Sequence, residues 1–113
     1  MKLNVIKIIL LFLIFIPIAN AVEYPSPSGY VNDFAGMLSP GDVARLNTEI
    51  SAIEKATTVE IAIVTVDSLQ VVSVEEYAVK LFEKWSIGKK DKDNGLLILV
   101  SKNEREYCVS SLL

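Results

Sequence analysis

Two short apolar segments constrain this chain most. Val59 to Val66 (VEIAIVTV) and Leu96 to Val100 (LLILV) are rich in β-branched and aliphatic residues, apolar on both alternating faces apart from Glu60 and Thr65. Strands of that kind need cover on both sides, so both belong inside a sheet. Between them, Ser73-Val74-Glu75-Glu76 has the form of a capping box. Val74, Tyr77, Ala78, Leu81, Phe82 and Trp85 then recur at helical spacing. Strand, helix and strand in that order predict a parallel pair joined by a right-handed crossover. Lys102 to Arg105 is a short turn, so the strand that Glu106 to Val109 begins is expected to run antiparallel to the one before it.

Upstream, Ser39-Pro40-Gly41-Asp42 is a helix start, with a capping serine, a proline suited to the first helical position and an acid near the positive end of the dipole. Val43, Leu46, Ile50 and Ile53 continue it as a helical stripe that should end near Ala56. Residues 22–29, with two prolines, two serines and a glycine within EYPSPSG, read as an extended linker, with the ordered part beginning near Tyr30 and an irregular segment before the first helix. The expected fold class is α/β: a small mixed β-sheet with helices packed on its faces, an incomplete α/β/α sandwich.

Residues 1–21 read as a secretory signal peptide. Lys2 and Lys7 form a positive start, Ile8 to Ile18 an apolar run broken near its end by Pro17, and Ala19-Asn20-Ala21 a small-residue cleavage site. The alternative is an uncleaved N-terminal anchor, but a membrane-spanning helix needs about 20 apolar residues and this run is roughly half that. Cleavage after Ala21 would place the mature chain in the periplasm or outside the cell. It leaves 92 residues, enough for one small domain. Without Lys2 and Lys7 there are nine basic against fourteen acidic residues, a net charge of about −5. That balance argues against nucleic acid or anionic lipid as a partner, since both need a basic footprint, and is compatible with binding a cation. The chain has no histidine, so Ser-His-Asp and Cys-His catalysis and the usual histidine-containing zinc sites are out. Its single cysteine, Cys108, has no internal partner for a disulfide and only Arg105 as a basic neighbour in sequence, so it is not read as a nucleophile.

Four pieces in order resemble the TPM domain family, also called the TPM phosphatase domain, of thylakoid lumen, photosystem-repair and bacterial exported proteins. They are Tyr30-Val31-Asn32-Asp33-Phe34-Ala35-Gly36-Met37-Leu38-Ser39, then Val59 to Val66, then Trp85-Ser86-Ile87-Gly88-Lys89, then Asp93-Asn94-Gly95-Leu96-Leu97-Ile98-Leu99-Val100. The resemblance runs from about Tyr30 to Arg105 and implies a central sheet between helices, beside an export signal or membrane anchor. It also implies three functions: an accessory or binding role at the membrane surface with a membrane protein complex as partner, a metal-assisted phosphatase, or a divalent-cation-binding module. The implied cofactor is a divalent cation, calcium or magnesium. After Arg105 the family pattern leads into a Gly-x-Gly segment and further helices, whereas Glu106 to Leu113 reads EYCVSSLL, so residues 30–113 are expected to be an N-terminal, C-terminally truncated part of such a domain.

The candidate metal or ligand residues are Asp33, Asp67, Asp91, Asp93 and Asn94, and the phosphate candidate is Arg105. Asp91 to Gly95 is too short for a calcium loop, with its glycine one place early and Lys102 where the bidentate glutamate belongs. As an aspartyl nucleophile it would precede its strand instead of following it. Its plainer reading is a polar turn in which Asn94-Gly95 supplies a positive φ. Asp67 lies at the carboxyl end of a strand, where open α/β sheets bind ligands, and it also suits a strand-ending turn. Asp33 is a ligand or a tie for the segment before the first helix. Topology puts Asp33, Asp67 and Arg105 at one sheet edge and Asp91, Asp93 and Asn94 at the other. A divalent ion held by carboxylates would polarise a phosphoryl oxygen, and Arg105 would pair with phosphate. Finally, Leu96 to Val100 is expected to leave an uncovered apolar strand edge, making the mature chain marginally folded or unfolded alone.

Overall fold

The two apolar segments form the centre of a four-stranded sheet. The computed structural model describes residues 21–88 and 93–112, without the side chain of Leu112; residues 1–20 of the expected leader and Asp91 lie outside the described residues. The elements follow as β1 (Val31–Asp33), α1 (Pro40–Thr57), β2 (Glu60–Val66), α2 (Val74–Trp85), β3 (Gly95–Ser101) and β4 (Glu106–Leu112). The sheet order is β1-β2-β3-β4. β1 and β2 are parallel, as are β2 and β3, while β4 is antiparallel to β3. This is the small mixed α/β fold expected.

Both helices start as their sequences dictate. Ser39 and Ser73 sit in extended backbone, and each side-chain hydroxyl accepts the amide of the residue three later, Asp42 at 3.1 Å and Glu76 at 3.1 Å. Both helices end in a left-handed residue that is not glycine, Thr58 after α1 and Ser86 after α2.

Alternation along the strands makes two unequal faces. On one, Ala62, Val64, Val66, Leu97 and Leu99 are buried beneath Val74, Tyr77, Ala78, Leu81 and Phe82 of α2. Each large apolar side chain fully buried there contributes about 1.5–3 kcal/mol, and this is the core. On the other face Ile61, Ile63, Leu96, Ile98 and Val100 are half-buried, and Tyr107 and Val109 continue the row onto β4 at 75% and 55% exposure. α1 packs over β1 and β2 on this side. It buries Ile50 alone and leaves Ile53 exposed.

Two expectations are corrected here. The segment before the first helix contains a strand: Val31, Asn32 and Asp33 pair with Ile63, Val64 and Thr65. Asn32 holds it, its side-chain amide donating to the carbonyl oxygens of Gly29 and Ile63 while its oxygen accepts the amide of Ser28. Leu96 to Val100 is not an edge, because β3 lies between β2 and β4; the uncovered apolar edge belongs to β4. Residues 22–28 are extended, as their prolines require, and lie along α2. Tyr24 meets the ring of Tyr77 with centroids 4.7 Å apart, the indole N–H of Trp85 donates to the Pro25 carbonyl at 2.8 Å, and Glu23 and Gln70 exchange two hydrogen bonds.

Candidate functional site

The loops after β1, β2 and β3 leave the sheet at one edge, the carboxyl edge of the parallel strands, where ligands bind in open α/β sheets. Asp33, Asp67 and Arg105 all reach it. Their side chains make no contact with one another among the described residues.

Asp33 ends β1, directly opposite Thr65. One carboxylate oxygen accepts the Thr65 hydroxyl at 2.6 Å and the Met37 amide at 2.9 Å, and the other accepts the Leu38 amide at 2.9 Å. Thr65 in turn accepts the Ala35 amide at 3.1 Å. Burial pushes the Asp33 carboxyl up, but the Thr65 hydroxyl and the two amides outweigh it and hold the group below its ordinary value. The carboxylate thus ties down residues 34–38. That loop turns at Gly36, whose φ of 63° a side chain would strain. It presents Phe34 and Met37 to solvent at 41% and 45% exposure.

Sequence reasoning passed over Glu104, the second carboxylate of this edge. It accepts the hydroxyls of Ser101 and Ser68 and the Leu69 amide, linking the β3–β4 turn to the loop after β2. The Ser101 hydroxyl is the main reason its carboxyl lies below the ordinary value; desolvation opposes it, and the Leu69 amide, its own amide and Ser68 add to the lowering. In sequence Glu104 is one charge in a polar turn, and the spacing Ser101-x-x-Glu104 was the one available hint. Asp67 is exposed, and its carbonyl accepts the Asn103 amide at 3.0 Å.

Arg105 is exposed at a φ of 55°, with no polar partner among the described residues. It lines an open groove between residues 72–75 at the start of α2 and residues 104–107. Glu75, Glu104 and Glu106 line the same groove. One guanidinium among three carboxylates makes a poor seat for a phosphate.

The opposite edge is built differently. Asn94 is buried, and its side-chain amide donates to the carbonyl of Thr58 at 2.7 Å and to its hydroxyl at 2.9 Å. Asn94 also accepts the Glu60 amide through its carbonyl. It therefore joins the end of α1 to the starts of β2 and β3. Asp93 is exposed, and the positive φ of this turn is its own, at 46°. The expectation that Asn94-Gly95 supplies it is overturned. Gly95 is required for a different reason: an added Cβ would lie 2.8 Å from the Ile87 carbonyl oxygen and 2.9 Å from the Gly88 amide. Among the described residues, no three His, Cys, Asp or Glu side chains are grouped to hold a metal ion, and no helix is long and apolar enough to cross a membrane.

The architecture defines a small mixed-sheet α/β domain whose candidate edge is organised by two structural carboxylates. The family model of the TPM domain matches residues 31–111, and the chain belongs to that family. The match takes in β4, past Arg105 where the resemblance was expected to end. Among solved structures, the N-terminal domain of a protein from P. gingivalis is 30% identical, with a TM-score of 0.68, covering 74% of this chain and 53% of that one. The N-terminal domain of a Corynebacterium glutamicum protein shares the fold, at 20% identity and a TM-score of 0.62, covering 81% of this chain and 61% of that one. The chain thus spans little more than half the length of these relatives. No curated protein matches it.

Proposed function

We propose that this chain is an exported TPM domain with an accessory or binding role at the membrane surface. The observation that carries the reading is the loop after β1, where Asp33 uses both carboxylate oxygens to hold residues 34–38 while Phe34 and Met37 stay exposed. Rigidly held, solvent-facing aromatic and thioether side chains are the residue types enriched at contact surfaces. The leader-like residues 1–21 supply the export part of the reading. A membrane protein complex is the partner class it implies.

The test is fractionation of the tagged full chain together with the double variant Phe34→Ser, Met37→Ser. Recovery outside the cytoplasm, trimmed at Ala21 and sedimenting with membranes, is expected. The double variant should shift to the soluble exported fraction. Cytoplasmic recovery with residues 1–21 attached would sink the proposal. The competing reading, metal-assisted hydrolysis of a phosphomonoester with Arg105 on the phosphate, predicts turnover that needs calcium or magnesium and is lost in Arg105→Ala. The carboxylates around Arg105 weigh against it.

A further inference from the structure

We infer that a second copy of this chain pairs with the first through β4, antiparallel and in one register, so that two four-stranded sheets join into one. β4 is an edge strand of seven residues. Edge strands are ordinarily blunted by lysine, proline, a bulge or an inward charge. Tyr107-Cys108-Val109-Ser110-Ser111-Leu112 contains none of these residue types, and its pairing with β3 is continuous from Glu106 to Leu112. Glu106, the single charge, stands at the strand's start.

The strand is also compatible with itself. A two-fold axis normal to the sheet sets the copies antiparallel and keeps each face on its own side. The register that overlaps all seven residues sets Val109 against the partner copy's Val109. Tyr107 then meets Ser111, Cys108 meets Ser110, and Glu106 meets Leu112. No charge faces a like charge, and the exposed Tyr107 and Val109 gain neighbours on their own face. On the other face, α2 leaves a groove at the edge lined by Val79, Phe82, Glu83, Ser110 and Ser111, with Val79 48% exposed. Cys108 of the incoming strand, opposite Ser110, lies beside that groove. Parallel pairing of two copies would instead put the apolar row of one on the opposite side of the joined sheet from that of the other.

The register makes the inference testable. In a Cys108→Ser background, the full chain is expressed from residue 1, purified from whichever cell fraction holds it, and treated with diamide. Val109→Cys sets two thiols directly opposite, at the roughly 4.5–5.5 Å Cβ separation of facing residues, and should become a disulfide-linked dimer almost completely. Ser111→Cys sets them four residues apart along the strand, about 14 Å, and should remain at least tenfold less crosslinked. By sedimentation velocity at about 50 μM in physiological salt, the wild-type chain should have twice the monomer mass. Val109→Lys sets like charges opposite each other and Tyr107→Lys charges the exposed face. Both should return the monomer mass, with helical circular dichroism checking that the fold is kept. A wild-type monomer at that concentration, or equal crosslinking of the two cysteine variants, would overturn the inference.

Discussion

Asp33 shows how one side chain can be read two ways until its partners are seen. A carboxylate at the end of a strand looks like a ligand; here both oxygens receive protons from Thr65, Met37 and Leu38. Asp33→Ala should therefore lower stability by about 1–2 kcal/mol, the range for losing a capping carboxylate and leaving its donors short of a partner. Thr65→Val, which keeps the shape and removes the hydroxyl, should fall in the same range by urea denaturation. The pH dependence follows from the direction of the shifts. Asp33 and Glu104 both have folded-state pKa values below their ordinary ones. Their contribution is fully present above the unfolded carboxylate range, near pH 4, and disappears as pH falls through the lower folded values. Thermal melts from pH 7 to pH 3 should show the wild type losing its advantage over an Asp33→Asn, Glu104→Gln variant as pH drops. A constant gap would refute the assignment.

Among the elements, those with a period of their own were legible from sequence. The stripes and caps of α1 and α2 were visible, as were the aliphatic runs of β2 and β3, and the short turn fixed the direction of β4. β1 was not, because three residues, two of them polar, carry no periodicity, and their strand character comes from pairing with β2. The site was less legible. The sorting of Asp33, Asp67 and Arg105 to one edge and Asp93 and Asn94 to the other followed from topology. That Asp33 and Asn94 act as ties, and that Glu104 joins Asp33 in this, depends on long-range partners. Gly95 is the clearest case of a requirement set by another element, since Ile87 and Gly88 occupy the space its Cβ would need. Gly95→Ala should cost about 1–3 kcal/mol, the overpacking range, by chemical denaturation. Arg105→Gly, at a φ of 55°, should keep or raise stability by up to about 1 kcal/mol, which makes it a clean variant for asking whether that cation contacts anything.

For the molecule as a whole, stability is concentrated on one side of the sheet. α2 buries the β2 and β3 residues of its face and leaves only a groove at the β4 edge, while α1 covers only the β1–β2 half of the other face. Leu96, Ile98 and Val100 retain partial exposure on that second face. The strap of residues 22–28 works against that deficit by adding Val22 and Tyr24 to the packed side. Starting the chain at Gly29 in place of Val22 should lower the midpoint of thermal unfolding by several degrees, as loss of about 1–2 kcal/mol does in a domain of this size. Trp85 fluorescence would report the exposure of its indole. An unchanged melt would show that the strap rides on the domain without supporting it.

That strap also gives the molecule an orientation. Ala21 stands four residues before Pro25, whose carbonyl is held by Trp85, and four extended residues reach about 14 Å at most. Anything joined to the chain ahead of Ala21 would therefore be leashed on the α2 side. The half-covered sheet face, with Ile98, Val100, Tyr107 and Val109, lies on the opposite side of the sheet from that leash.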